Sequence, residues 1–135
     1  MAPLTLLSSR KKNSGNKLNR NSRLFKTIIH AIQEKKGEKI ISLDLRKIDE
    51  AVADFFVICE ASNPQQVRAI GEFIEEKVKN ECGENAYKHE GYQALQWVLI
   101  DYVNIVIHVM LPETRKFYAL DEMWSDAQTM EHLDK

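Results

Sequence analysis

The spacing of hydrophobic positions changes several times along the chain, from helical to strand-like and back. Leu24, Ile28 and Ile32 recur at helical intervals directly after Ser22, a residue type that caps helix N-termini. Gly37 follows the last of these positions and favours a helix end. The pattern therefore predicts a first helix that begins after Ser22 and ends before Gly37.

Two strands and a second helix are predicted next. Residues 39–45 and 55–59 are short apolar runs of strand length, and the second is apolar enough to be buried on both faces. Asn63 and Pro64 then combine a preferred N-cap with a preferred first helical residue. An apolar face at helical spacing continues from there to Gly83, which predicts a long central helix.

Residues 97–110 contain two apolar, β-branched runs on either side of a polar break, which predicts a β-hairpin. With Val103 and Asn104 as the loop, alternation places six side chains on one sheet face and makes Asp101 and His108 diagonal neighbours. These six are Trp97, Leu99, Asp101, Val106, His108 and Met110. A three-residue loop would separate Asp101 from His108. Since Val103-Asn104 lacks the glycine of common hairpin turns, the sequence leaves the register open.

The hairpin leads into a last helix with an apolar stripe at helical spacing. We expect this stripe to be buried; its members are Phe117, Leu120, Met123 and Trp124. Residues 84–95 are polar and predicted to be turn-like. The order α-β-β-α-β-β-α predicts a compact single α/β domain with a mixed four- to five-stranded sheet and packed helices. We place a disordered arm at 1–21, the folded body at 22–128 and a polar tail at 129–135.

A net charge of −1 conceals a division between the arm and the body. Residues 1–23 contain six Lys and Arg and no acid, whereas the remaining 13 basic residues face all 20 acidic ones, which gives residues 24–135 a charge of −7. A basic arm rich in Ser and Asn is typical of a disordered tail. The arm is either a solvated tail without a role or a contact to RNA phosphates, and a transit peptide is a third interpretation.

Several classes of function lack their sequence signals. Two cysteines give no disulfide framework or four-ligand zinc site and favour the cytoplasm. No apolar run reaches the 18 or so residues of a membrane span. No glycine-rich phosphate loop is present, and the strand carboxylates Asp44 and Asp101 lack a nearby acidic partner for magnesium. The pattern therefore predicts a protein that is not an enzyme and needs no cofactor or metal.

Asp101 and His108 stand out because polar groups are costly to bury without a partner. They form either an internal contact that stabilises the sheet, part of a binding surface, or a catalytic pair. The catalytic interpretation is disfavoured because the sequence places no Ser or Cys nucleophile beside them. Trp97 is open to two interpretations in the same way, as a core residue or as an anchor for a partner.

Three motifs taken together resemble the ribosomal silencing factor family, also called Iojap-like. They are W-V-L-I-D-Y at 97–102, V-I-H-V at 106–109 and E-x-R-x-x-Y-x-L-x-x-x-W at 113–124. Further matching segments are 43–44, 54–58, 66–70 and 90–91. The resemblance covers residues 24–127 and leaves the basic arm outside.

The resemblance implies a fold related to nucleotidyltransferases but without their catalytic carboxylates. It also implies binding to the large ribosomal subunit through ribosomal protein fourteen, at the face that meets the small subunit, so that subunit joining is blocked and translation is repressed. The partner-binding residues that it implies are Trp97, Asp101, Tyr102, His108, Glu113, Arg115, Tyr118 and Trp124. Open alternatives are a ribosome-assembly or RNA-binding factor acting through the arm, with weak rRNA contact, and a residual nucleotidyltransferase. An apolar hairpin surface would also suit a homodimer.

The chain departs from the family pattern in three places. Val103 and Asn104 replace the usual Gly and Asp at the hairpin turn, which puts the turn geometry in doubt. Ala61 and Asn63 replace Gly and Ser before the central helix, where Asn still caps. Gln65 replaces a common Arg, which weakens the expectation that this loop holds a charged partner.

Overall fold

Six strands form one mixed sheet in the computed structural model, which describes residues 19–133. The helices are α1 (Arg23–Glu34), α2 (Pro64–Cys82), α3 (Pro112–Tyr118) and α4 (Leu120–Met123). The strands are β1 (Glu38–Asp44), β2 (Phe55–Glu60), β3 (Lys88–Glu90), β4 (Trp97–Asp101), β5 (Ile105–Met110) and β6 (Gln128–His132). Their order in the sheet is β3-β4-β5-β2-β1-β6; β2 and β5 are parallel and the other neighbours antiparallel. The predicted α/β class and mixed sheet are confirmed.

The central strands are buried on both faces because the sheet has two cores. Phe55, Val57 and Cys59 point to the face covered by α1 and α2. Phe56 and Ile58 point to the opposite face, which is covered by the 45–53 loop, α4 and the segment after it. Alternation along β2 thus explains why its sequence is continuously apolar.

The predicted helix starts are confirmed by their caps. The Ser22 hydroxyl accepts a hydrogen bond from the Phe25 N–H at 3.2 Å. The Asn63 side chain accepts one from the Gln66 N–H at 2.8 Å. Gly83 ends α2 in the left-handed conformation at φ 68°, a backbone region that glycine enters without a Cβ penalty.

Both edge strands lie in segments where we expected none. Strand β3 lies in the polar region 84–95, and β6 begins at the last residue of the predicted body and continues into the predicted polar tail. Exposed edge strands bury little side-chain surface, so their sequences need not alternate between polar and apolar residues. Pairing with β4 and β1 supplies their hydrogen bonds, and the sheet has six strands rather than four or five.

The last helix is interrupted at Ala119, which adopts φ 46° and separates α3 from α4. This break changes which side chains face the core. Leu120 is buried and Trp124 half-buried, as expected, but Phe117 is 79% exposed and Met123 56% exposed. The predicted continuous buried stripe is wrong at these two positions.

Most of the predicted arm, residues 1–18, lies outside the described residues. Arg20, which we placed in the arm, contacts the folded body. Its Nε donates to the Ser42 hydroxyl at 3.1 Å, and its guanidinium lies 5.2 Å from the centre of the Phe55 ring. Its Nη1 is also 3.9 Å from the Asp44 carboxylate. The body therefore includes Arg20.

Candidate interaction surface on the last two helices

The β4–β5 hairpin has the two-residue register predicted from the sequence. Leu99 pairs with His108 and Asp101 with Val106, and the Tyr102 N–H donates to the Ile105 carbonyl at 2.9 Å. Both strands are buried on both faces within the chain. The hairpin therefore has no exposed apolar face that a second copy could bind. Our suggestion of a homodimer assumed that such a face was exposed.

The hairpin turn is built around a strained Val103. Its φ is 74°, and the Asn104 N–H donates to the Tyr102 carbonyl at 2.9 Å, which are the features of a γ-turn. The Asp101 carboxylate accepts a hydrogen bond from the Val103 N–H at 2.8 Å. Asp101 is 2% exposed, so one established role of this buried acid is to hold the turn.

His108 is hydrogen-bonded to Trp97. The Trp97 indole N–H donates to His108 Nδ1 at 3.0 Å, which places the imidazole proton on Nε2. His108 is completely buried, and its ring centre lies 4.6 Å from that of Phe56. Burial lowers the pKa of His108 to about 3, so the ring is neutral at physiological pH. The geometry therefore supports a structural role for His108, with Trp97 as its hydrogen-bond partner.

Trp97 itself lies beneath the surface, with 3% of its area exposed. Its ring centre is 4.8 Å from that of Tyr118, which is 38% exposed. Tyr118 in turn lies 4.9 Å, edge to face, from the ring of Phe117. A stack of rings thus connects the buried His108 to the outside of the molecule.

The outer end of this stack belongs to what we call the α3–α4 surface, defined by the exposed Phe117, Tyr118 and Met123. An open groove of about 380 Å³ lies beside it, lined by Gln96, Leu111, Glu113, Thr114, Phe117 and Tyr118. Glu113 and Glu122 are exposed on the same two helices. Exposed aromatic and methionine side chains with a charged rim, which also includes the exposed Lys116, are a composition suited to protein recognition.

Sequence reasoning missed Phe117 and Met123 because it assigned them to the core. Their helical spacing from Leu120 suggested one buried stripe, and alanine at position 119 gives no signal of a helix end. The exposed aromatic side chains become visible only when the break at Ala119 is known.

The remaining predicted site residues are dispersed. Glu113 is exposed in the first turn of α3, where the helix dipole favours an acid. Arg115 is turned inward and binds atoms of β1, β2 and α4. Tyr102 faces the α1–α2 core, where burial raises the pKa of its hydroxyl. Trp124 is half-buried, and its ring centre lies 6.1 Å from that of Phe56. Glu113 and Tyr118 are thus the predicted residues that reach the surface freely.

The described residues give little support for catalytic or metal chemistry. Cys59 is fully buried, and burial raises the pKa of its thiol to about 12, which disfavours the nucleophilic thiolate. Within residues 19–133 no group of three His, Cys, Asp or Glu side chains converges as a metal site would require. No helix in the same range is long and apolar enough to cross a bilayer.

Comparison with known proteins gives a consistent result. The family model described as ribosomal silencing factor during starvation, RsfS, matches residues 19–135. A ribosomal silencing factor from Halalkalibacterium halodurans is 37% identical over 111 residues, which cover 82% of this chain and 93% of that protein. The Bacillus subtilis ribosomal silencing factor is 36% identical and covers 77% of this chain and 86% of its own length.

Solved structures agree with the fold. A crystal structure from Chromobacterium violaceum superposes with a TM-score of 0.72 at 30% identity, covering 76% of this chain and 83% of that one. One from Bacillus halodurans gives a TM-score of 0.70 at 34% identity over 83% of this chain and all of that one. With the family model extending from Asn19 to the last residue, this chain belongs to the ribosomal silencing factor family.

Proposed function

We propose that this chain binds the large ribosomal subunit, prevents the small subunit from joining it and so represses translation. The observation that carries this proposal is the family match over residues 19–135, together with ribosomal silencing factors that align over 93% and 86% of their own length. Binding and steric exclusion are sufficient for this activity, so no catalytic step, cofactor or metal is required.

We further propose that ribosomal protein fourteen is the partner and that the α3–α4 surface docks on it. The charge of −7 over residues 24–135 is complementary to the basic surfaces of ribosomal proteins and would speed encounter. Phe117 and Tyr118 provide the rigid aromatic area that is enriched in binding hot spots. An interface of about 1,600 Å² would be enough to obstruct a competing partner at the subunit face.

The predicted site residues take different roles in this proposal. Tyr118 and Glu113 contact the partner together with Phe117 and Met123. The buried Trp97 and His108 hold Tyr118 from below, through the indole hydrogen bond and ring packing. Four others keep the framework in shape rather than touching the partner: Asp101, Tyr102, Arg115 and Trp124.

Subunit joining is the direct test. Purified small and large subunits are mixed with and without the protein, and sucrose-gradient sedimentation then locates the subunits and the factor. We expect the protein to sediment with the large subunit and coupled ribosomes to decrease. Unimpaired joining, with the protein remaining at the top of the gradient, would contradict the proposal.

Phe117→Ala tests the docking surface. Because the ring is 79% exposed, its removal leaves the core intact, and we expect large-subunit binding to weaken about tenfold or more. Tyr87→Ala is the matched control, since Tyr87 is 60% exposed and lies beside β3 at the far edge of the sheet. Equal binding by both variants would place the interface elsewhere.

A second candidate function is assembly of the large subunit. A mouse relative named mitochondrial assembly of ribosomal large subunit protein 1 is 35% identical over 74 residues, which are 53% of this chain and 32% of that protein. If assembly is the function, the factor should sediment with immature large-subunit particles, and its depletion should accumulate them. Silencing instead predicts normal mature subunits that couple too readily when the factor is absent.

A further inference from the structure

We infer that Arg115 is a positioning residue that fixes the α3–α4 surface to the end of the β1–β2 pair. This inference rests on the proposed function, because it assigns a role in presenting the docking surface. Arg115 matches the family motif and was predicted to contact the partner. Its side chain is only 12% exposed, and its guanidinium binds atoms of this chain on three other elements.

The three contacts of Arg115 differ in chemistry and location. Nη1 donates to the Lys39 carbonyl at 2.7 Å and lies 3.5 Å from the Glu60 carboxylate. Nη2 lies 3.5 Å from the carboxylate of Asp121, which is the second residue after the break at Ala119. One rigid guanidinium fork therefore joins α3 to β1, to β2 and to α4.

The Lys39 carbonyl is available because β1 contains a bulge. Glu38 pairs with Glu60 and Ile41 with Ile58, so Lys39 and Ile40 together lie opposite Cys59. Lys39 has a φ of 48°, a left-handed conformation that is strained for a residue with a side chain. The bulge thus presents a backbone acceptor to Arg115 from the end of the sheet.

Helix α3 has few other attachments. None of its seven residues is buried, and its N-cap Leu111 makes no side-chain capping hydrogen bond. Tyr118 rests on Trp97 at one end, and the Leu111 N–H donates to the Gln96 carbonyl at 3.0 Å at the other. Arg115 is the nearly buried polar group between these two points, so its loss should free the helix rather than unfold the sheet.

The test compares Arg115→Met with Arg68→Met, an equivalent change at an exposed ion pair on α2. Two quantities are measured on the full-length protein: affinity for purified large subunits, and amide hydrogen exchange resolved by segment. We expect Arg115→Met to bind about tenfold more weakly and to exchange faster at residues 112–123, while β2 and β5 remain protected. Arg68→Met should match the wild type in both measurements.

Glu60→Gln separates positioning from direct contact. Glu60 is the carboxylate partner of Arg115 on β2, and its side chain is 12% exposed, so we expect a change there to act through Arg115. We expect Glu60→Gln to loosen residues 112–123 and to weaken binding by a smaller factor. The double variant should bind no worse than Arg115→Met alone, because both changes break one connection.

Three results would overturn the inference: binding by Arg115→Met equal to wild type, faster exchange across the whole sheet, or additive losses in the double variant. If Arg115→Met does not fold, Arg115→Lys replaces it, since one ammonium keeps the charge but cannot form all three contacts. If the wild type itself fails to bind large subunits, the proposed function fails. The exchange measurement still decides whether Arg115 holds α3.

Discussion

His108 lies inside the sheet as a neutral imidazole with a single ring proton. Its Nδ1 accepts the Trp97 indole hydrogen bond, so a second proton would have to enter a fully buried ring and break that bond. The pKa of His108 is lowered to about 3 by burial, against an ordinary value near 6.5 in the unfolded chain. Below that ordinary value the unfolded chain binds a proton that the folded chain excludes.

The consequence is a stability loss on acidification that His108→Asn should remove. Asparagine retains an acceptor for the indole but cannot ionise. Between about pH 6 and pH 4 the free energy of unfolding of the wild type should fall by about 1 kcal/mol per pH unit because of His108. Urea denaturation at pH 7 and pH 5 should therefore show a loss about 2 kcal/mol larger in the wild type than in the variant. Equal losses would mean that His108 is protonated in the folded protein.

Residue types indicated that Asp101 and His108 required partners, but not which partners. The sequence places both in apolar strands, where unpaired polar groups are costly. The choice between them depends on side-chain directions. Asp101 turns back to the Val103 N–H, whereas His108 faces Trp97 across the β4–β5 pair. Backbone register alone, although predicted correctly, does not contain that information.

At the scale of elements, segments with a strong apolar period were predicted well and segments without one were not. Helix α2 and the β4–β5 hairpin bury whole faces, so the spacing of apolar residues in their sequences predicts their secondary structure. Strands β3 and β6 are held by backbone pairing at exposed edges, which leaves little trace in side-chain pattern. The break at Ala119 could not be predicted from apolar spacing, since Leu120 is buried while Phe117, three residues before it, is exposed.

The β4–β5 turn yields a prediction at this scale, because Val103 departs from the usual glycine. A β-branched side chain at φ 74° is strained, and glycine adopts that conformation freely. We expect Val103→Gly to raise the free energy of unfolding by about 1 kcal/mol without changing subunit binding. Val103→Ala is the control, since it keeps a Cβ and should gain little. Chemical denaturation of the three proteins decides, and a destabilised Val103→Gly would show that the valine side chain contributes more than its strain costs.

For the whole molecule, the separation of charge between arm and body is the feature that the fold does not explain. The acidic body complements a basic protein, whereas a basic arm complements RNA phosphates, and a ribosomal surface presents both. In the structure, the boundary between arm and body lies nearer to the N-terminus than we predicted. Arg20 donates to Ser42 and lies over the Phe55 ring, so removing residues 1–21 would remove contacts of the body as well as the arm.

Deleting residues 1–18 is therefore the appropriate test of the arm. This change removes four basic residues, Arg10, Lys11, Lys12 and Lys17, and keeps Arg20 and the α1 cap. If the arm contacts rRNA, each phosphate contact adds about 0.7 to 0.9 to the slope of log affinity against log salt concentration. The slope for large-subunit binding should then fall by up to about 3, with little change in affinity at high salt. A full-length variant with those four residues changed to Gln controls for the length of the arm and should behave like the deletion. An unchanged slope in both would leave recognition to the acidic body and the α3–α4 surface alone.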